Sequence, residues 1–259
     1  MTLRIGITGI AGRMGHLLAE EVTAACATLA GGTTRPGSAK TLPAGIALLA
    51  DAAALFAAAD VVIDFTHADN AVTHAEAAAA SGKPLVLGSS GLSAAQEAAV
   101  AAAAKRVPIV YAANFSPGVN IVLAIAERMA AALPGAQYDA EIVEMHHRQK
   151  VDAPSGTAIA LGRAVAAGRG TTLDAAGMES GRHGHTGARG TGTIGFATLR
   201  GGQVIGDHTL LFAGANEHIA LTHRSFDRRA YATGAVRAAL WLQGRAPGLY
   251  GMKHVLGMG

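Results

Sequence analysis

The 259-residue chain is short of cysteine, charge and aromatic side chains. Its one cysteine, Cys26, excludes an internal disulfide and fits a reducing, cytoplasmic setting. As a lone thiol it is expected to be a small buried hydrophobe. Only 4% of residues are aromatic, which leaves few stacking platforms for single-stranded nucleic acid. Only 15% are charged, and 21 Lys and Arg against 18 Asp and Glu leave a net charge of +3. That is a mild bias toward anionic ligands, not a nucleic-acid footprint. No run is suited to crossing a membrane, because the longest apolar stretch, Ala44 to Phe65, carries Asp51, Asp60 and Asp64. The first residues have Arg4 and then a glycine-punctuated run, unlike the apolar core of a signal peptide.

What is present is apolar and glycine-rich. Half the residues are hydrophobic, enough to offset ordering entropy and exclude a disordered chain. The 34 glycines imply tight turns and close backbone approaches. The opening reads as a strand over Leu3–Thr8, a glycine turn over Gly9–Gly15, and helical spacing from His16 to Leu29. A second strand is expected over Ala27–Thr33, with a break over residues 34–38. Helices at Leu48–Ala58, Val72–Ser81 and Ser93–Lys105 then alternate with short apolar runs at Val61–Phe65, Pro84–Gly88 and Val107–Ala112. Ser93 with Gln96 predicts a capping box. This alternation signals a doubly wound α/β domain. After Pro117 the rhythm changes. A helix at Val119–Ala132, a strand at Asp139–Met145 and a helix after Pro154 precede a glycine-rich, polar stretch over residues 168–192, read as a long loop. Thr193–Arg200, Gln203–Ala213 and Glu217–Arg224 read as an antiparallel meander, and a helix over Asp227–Gln243 closes the chain.

A strand, close glycines and a helix form a phosphate cradle, because a helix N-terminus offers unpaired N–H groups and partial positive charge. The glycines here are Gly9, Gly12 and Gly15, with Ala11 where the dinucleotide fingerprint has its second glycine. Beyond them, where an acid commonly holds a ribose 2′-hydroxyl, stand Thr34 and Arg35. A guanidinium there suits a 2′-phosphate, so NADPH is the expected preference over NADH.

The densest chemistry lies in Glu141–Ala158, which holds Glu144, His146, His147, Lys150, Asp152 and Ser155-Gly156-Thr157. Adjacent histidines at a strand end point different ways. Lys150 adds a compact cation, Glu144 and Asp152 can orient or balance these groups, and Ser155 opens a helix suited to a carboxylate. Four readings are open: a structural cluster, a zinc site with His183 and His185, a Ser155 nucleophile, and reduction with acid–base assistance. No thiolate pair or His-Glu-x-x-His pattern supports zinc, so no metal is expected. No Gly-x-Ser-x-Gly elbow surrounds Ser155. The preceding dinucleotide turn favours reduction.

Gly9-Ile-Ala-Gly-Arg-Met-Gly15, Ile63-Asp-Phe-Thr66, Gly88-Ser-Ser-Gly91, Ala112-Ala-Asn-Phe-Ser116 and Glu144 to Ala158 together resemble the dihydrodipicolinate reductase family over nearly the whole chain. Gly184-His-Thr-Gly187, Gly192–Ala197, Gly206-Asp-His-Thr209 and Ala235–Trp241 extend the resemblance. It implies reduction of 4-hydroxy-tetrahydrodipicolinate to tetrahydrodipicolinate with NADPH or NADH, in lysine and diaminopimelate biosynthesis. By resemblance, His146 and Lys150 are the catalytic proton carriers, while His147, Gly156 and Thr157 bind the dicarboxylate substrate. Gly9, Ile10, Ala11, Gly12, Arg13 and Met14 would hold the pyrophosphate, with Thr34 and Arg35 near the adenosine ribose. Gly88, Ser89 and Ser90, with Ala112, Ala113, Asn114 and Phe115, would line the nicotinamide side. Two departures stand out: Ser89-Ser90 replaces the family's common Thr-Thr, and Thr34 replaces an acid common there. His183 takes no role.

The expected fold class is α/β. A Rossmann-type dinucleotide-binding domain spans residues 1–117 and is rejoined by 226–259. An α+β mixed-sheet domain for substrate binding and tetramerisation spans 118–225. The implied enzyme is a cytoplasmic homotetramer. Another NAD(P)-dependent reductase and a non-catalytic nucleotide sensor are the competing functions.

Overall fold

The computed structural model describes residues 2–35, 37, 42 and 45–258. The chain forms two compact units, one running to Pro117 and resuming at Arg228, the other Gly118–Asp227. In chain order the elements are β1 (Arg4–Thr8), α1 (Arg13–Ala24), β2 (Thr28–Gly32), α2 (Ala52–Ala58), β3 (Val61–Asp64), α3 (Ala71–Ser81), β4 (Leu85–Leu87), α4 (Ala94–Ala104) and β5 (Pro108–Tyr111). Then come α5 (Pro117–Ala132), β6 (Asp139–His146), α6 (Gly156–Gly168), α7 (Leu173–Ala176), β7 (Met178–Glu179), β8 (Ile194–Arg200), β9 (Gly206–Ala213) and β10 (His218–Ser225). The last are α8 (Arg229–Trp241), β11 (Gly248–Tyr250) and α9 (Met252–Val255).

The first unit is a six-stranded sheet in the order β11-β5-β4-β3-β1-β2, parallel throughout. Its central strands are covered on both faces, which is why Val61–Asp64 and Leu85–Leu87 are continuous runs rather than alternating ones. Two clusters fill the faces, one with Ile5, Ile7, Leu18 and Val236, the other with Leu55, Phe56, Val62 and Val100. Alanine lets α8 lie close to its neighbours: Ala232, Ala235, Ala238 and Ala239 are all buried. Arg229 ties α8 to α1 through Glu20 at 2.5 Å and Glu21 at 2.8 Å. The Ser93–Gln96 capping box is present at the start of α4.

The second unit is a five-stranded mixed sheet in the order β10-β9-β6-β8-β7. Along β6 burial alternates, so Ala140, Ile142, Glu144 and His146 face inward and Asp139, Glu141, Val143 and Met145 outward. Ala126 and Ala130 of α5 and Leu161 and Val165 of α6 pack with Ile142, Phe196, Leu210 and Phe212 of the sheet.

Several expectations need correction. Helix α1 stops at Ala24, short of Leu29. There Cys26 takes φ +56°, its N–H donating to the Thr23 carbonyl at 3.0 Å and the Ala27 N–H to Val22 at 3.1 Å. This left-handed cap turns the chain out of the helix, and it leaves Cys26 exposed rather than buried. The stretch over 168–192 is not all loop, since it contains α7 and β7. The last three long strands do not form a meander: only β9 and β10 are hairpin neighbours, and β6 lies between β8 and β9. The connection over residues 201–205 crosses the end of β6, with the Gly201 N–H on the His146 carbonyl at 3.0 Å and the His147 N–H on Val204 at 2.7 Å. At about 3.3 Å per residue such a link easily spans the roughly 9.6 Å of two strand spacings. Strand β11 was not foreseen; it pairs with the edge of β5. The break expected over residues 34–38 takes in Pro36 and Ser38, which lie outside the described residues.

Candidate active site

In the first unit the strand order reverses between β1 and β3, and ligands of such sheets sit outside the carboxyl ends at that point. Thr8 and Asp64 are register partners there. Gly9 turns the chain with φ +64°. Gly15 has no room for a side chain: a Cβ would lie 2.4 Å from the Ile10 carbonyl oxygen and 2.6 Å from that of Gly9. Gly12 caps α1 without a side-chain bond, and the first turn carries no acid. The start of α1 therefore presents backbone donors and the positive end of its dipole, as a phosphate cradle requires.

Gly9, Ala11, Gly12, Thr34 and Arg35 line a cleft of about 600 Å³ together with Thr8, Asp51, Phe65, Thr66, His67, Asn70 and His74. Arg13, Met14, Ala113, Asn114 and Phe115 line a second space of about 340 Å³, with Phe65, Arg228 and Tyr231. Phe65 is common to both. Ile10 is buried, so it can offer only backbone. Gly88, Ser89, Ser90 and Ala112 are absent from both linings. Gly88 instead packs on Phe65, whose ring a Cβ would meet at 2.5 Å, and Ser89 is buried with its hydroxyl on the Thr66 carbonyl at 3.1 Å. Asp64 organises the floor. It accepts from the Thr8 hydroxyl at 2.8 Å, the Thr66 N–H at 2.7 Å and His74 Nδ1 at 2.7 Å. Burial opposes its charge, but His74 and Thr66 more than compensate and hold the carboxyl below its ordinary range.

In the second unit the densest network surrounds His146, at the end of β6. Its Nδ1 lies 2.5 Å from Glu144 Oε2. Glu144 is buried and accepts Arg200 in a fork at 2.8 and 2.9 Å. Its Oε1 also takes the Ser155 N–H at 3.1 Å. Ser155 caps α6, accepting from the Ala158 N–H at 3.2 Å, and its hydroxyl meets His208 Nε2 at 2.9 Å. The His208 ring stands edge-on to His146 at 5.1 Å. Lys150 pairs with Asp152 at 2.8 Å, and Arg200 donates to the Asp152 carbonyl at 2.6 Å. His147 Nδ1 is buried with no hydrogen-bond partner among the described residues. A Cβ on Gly156 would meet nothing within 4 Å, which leaves the start of α6 open.

These contacts set the charge states. Burial pushes His146 down; Glu144 opposes that, and Lys150 and Arg200 add to it, so the imidazole titrates below its ordinary value. Burial raises Glu144, but Arg200 and His146 bring it below the ordinary carboxylate range. An ionised Glu144 can only accept, so a hydrogen bond between it and His146 Nδ1 has the ring nitrogen as donor. Burial and His146 lower His208 to about 4. A neutral, buried imidazole can take or pass a proton, a lysine ammonium can give one, and an open helix start can hold a carboxylate.

The structure thus brings His146, Lys150 and Gly156 into one segment ordered by Glu144. The sequence singles out neither Arg200 nor a role for His208, which stands only within Gly206-Asp-His-Thr209; their signal is register: β8 sets Arg200 beside His146 and β9 sets His208 beside Glu144. Nor does it mark a role for Asp51, Arg228 or Tyr231. The Ser155–His208 contact has part of a nucleophile–base geometry, yet His208 Nδ1 has no hydrogen-bond partner among the described residues to orient it and the Ser155 oxygen is taken up in capping. No group of three or more His, Cys, Asp or Glu among the described residues is arranged to hold a metal ion.

Residues 3–115 match the family described as "Dihydrodipicolinate reductase, N-terminus", and residues 118–256 match "Dihydrodipicolinate reductase, C-terminus". A curated relative from Granulibacter bethesdensis, named 4-hydroxy-tetrahydrodipicolinate reductase, is 64% identical over 99% of this chain and 98% of its own. A relative of the same name from Acidiphilium cryptum is 59% identical over 99% of this chain and 98% of its own. Among solved structures, dipicolinate-bound dihydrodipicolinate reductase from Paenisporosarcina sp. TG-14 shares the fold, with TM-score 0.82 at 24% identity over 99% of this chain and all of that one.

Proposed function

This chain belongs to the dihydrodipicolinate reductase family, and on that premise we propose that it reduces 4-hydroxy-tetrahydrodipicolinate to tetrahydrodipicolinate with a pyridine nucleotide. The reaction belongs to lysine and diaminopimelate biosynthesis. One observation carries the reading: a single chain holds both a glycine cradle without acids and a buried His146 tied to Glu144 beside an open helix start.

The cradle fits the nucleotide, since Gly15 permits the helix approach and Gly12 leaves the first N–H groups uncovered. Gly9, Ile10, Ala11, Gly12, Arg13 and Met14 would hold its pyrophosphate. Gly88 to Ser90 and Ala112 to Phe115 would lie on the nicotinamide side, with Phe65 as the ring that packs Gly88. When bound, the nucleotide supplies the hydride. The residues of the second unit handle the rest. Replacing a ring hydroxyl by hydride consumes one proton and releases water. Lys150 donates that proton, and the Nε2 lone pair of His146 accepts or relays it. His147, Gly156 and Thr157 hold a substrate carboxylate at the start of α6.

Three finer readings belong to the same proposal. Arg35 beside Thr34 favours NADPH over NADH. Asp51 also faces that cleft, but one of its oxygens is engaged as the cap of α2, accepting from Ala54 at 2.8 Å. The chain assembles as a homotetramer through the outward face of the second sheet, where Val143 and Leu199 are 38% and 50% exposed. Its setting is the cytoplasm; among the described residues no helix is long and apolar enough to cross a membrane. The test is to add freshly made substrate to the purified protein and follow NADPH. Consumption coupled to substrate supports the reading; binding of NADPH without consumption would replace it with a nucleotide sensor.

A further inference from the structure

The Glu144 carboxylate is crowded with donors. Oε2 faces His146 Nδ1 and one Arg200 nitrogen, while Oε1 faces the other Arg200 nitrogen, the Ser155 N–H and, at 3.4 Å, the Thr198 hydroxyl. A carboxylate accepts at both ends, so it alone satisfies this set. Arg200 is the counterion that makes a buried carboxylate tenable, and its fork fixes the plane of the group. The same guanidinium also holds the Asp152 carbonyl, close to Lys150 in sequence.

We propose that Arg200 and Glu144 are positioning residues that lock His146 in its Nδ1–H tautomer, with Nε2 as the working atom, while the same carboxylate anchors the start of α6. The proton-handling atom and the carboxylate-binding helix start are thereby held by one group. This inference rests on the reductase reading for the use made of His146, but the tautomer itself does not depend on it. The charged and titratable groups facing His146 are Glu144 on its own strand, Lys150 beyond it, Arg200 on β8 and His208 on β9.

A glutamine at position 144 must aim an amide N–H at one set of donors. Turned toward Ser155 it meets a backbone N–H and the guanidinium. Turned toward His146 it still meets one guanidinium nitrogen, but beside it stands a ring nitrogen that can become an acceptor, whereas the Ser155 N–H cannot. Glu144→Gln is therefore expected to reverse the tautomer, making Nε2 a donor and removing the working lone pair. Loss of the anion also moves the His146 titration to lower pH. Arg200→Gln removes a cation instead, so it moves the same titration to higher pH.

The experiment is ring-nitrogen NMR of the histidine-labelled protein across pH, with the His146 signals assigned through His146→Gln. NADPH affinity and the pH profile of turnover are measured beside it. Expected are an Nδ1–H tautomer in the unsubstituted protein, reversal in Glu144→Gln, opposite titration shifts in the two variants, and turnover in Glu144→Gln lower by about a hundredfold with NADPH affinity held within about twofold. An unchanged tautomer and titration in Glu144→Gln would overturn the proposal, even if turnover fell, because packing alone would then explain the loss. If Glu144→Gln fails to fold, Arg200→Gln decides, and a His146 titration that stays in place or moves down overturns it. Shifted titrations in a protein without reductase activity would uphold the positioning and reject the function.

Discussion

Alanine at Gly15 would put a methyl carbon 2.4 Å from the Ile10 carbonyl oxygen, 2.6 Å from its carbon and 2.6 Å from the Gly9 carbonyl oxygen. All three atoms belong to the turn that leads into α1, so no side chain can move aside. The turn or the helix must shift. Alanine gains about 1 kcal/mol over glycine in a helix interior, and overpacking against rigid neighbours costs about 1–3 kcal/mol. Global stability should therefore change by at most about 2 kcal/mol. The cradle itself changes more, because the displaced atoms are those that aim its N–H groups. Loss of one or two charge-assisted hydrogen bonds weakens NADPH by about tenfold or more. Gly181→Ala is the control: it lies outside the cradle and its Cβ would meet nothing within 4 Å. Calorimetric titration with NADPH, beside thermal unfolding, reads both quantities. NADPH binding by Gly15→Ala within twofold of the unsubstituted protein would refute the reasoning.

Other outcomes follow from the same geometry. Lys150→Ala should lower turnover by about 10² to 10³ while NADPH affinity stays within about twofold; equal losses in both would reject a proton-donor role. Arg35→Ala should raise KM for NADPH several-fold and leave that for NADH nearly unchanged, and parallel changes would reject the 2′-phosphate contact. His208 titrates at about 4 in the folded chain against an ordinary 6.5. Between those values the unfolded chain holds more protons, so stability rises with pH through the window and is lost as pH falls toward 4, by about 3 kcal/mol at most. Denaturant unfolding at several pH values should show this slope, flattened in His208→Gln; an undiminished slope in that variant would assign it elsewhere.

The fold was legible wherever a strand is buried on both faces. Val61-Val-Ile-Asp64 and Leu85-Val-Leu87 announce themselves as apolar runs, and the Ser93–Gln96 cap marks a helix start without tertiary help. What escaped depends on pairing between distant residues. Gly248-Leu-Tyr250 is a strand only because β5 offers it an edge. The order of β8, β6 and β9 depends on a connection crossing a strand end, which local pattern does not encode. The misjudged Cys26 belongs to the same class, because its exposure follows from a cap geometry set by where α1 stops. At the site, His146, Lys150 and Gly156 were visible as one dense segment. Arg200 was not, and His208 stood only in a motif without a role, because about sixty residues of chain separate each from Glu144 and only sheet register unites them. Asp51 likewise joins Gly9, Gly12 and Arg35 in lining one cleft from the cap of α2, at a spacing no linear fingerprint covers.

The proposed reaction turns on hydride transfer to the substrate ring. The most direct measurement supplies NADPH deuterated at the transferable position together with 4-hydroxy-tetrahydrodipicolinate and locates the label in the product. One deuterium per turnover is expected on the ring carbon that loses its hydroxyl, with one nucleotide oxidised for each tetrahydrodipicolinate formed. Tetrahydrodipicolinate without deuterium, or nucleotide bound but not oxidised, would contradict that transfer.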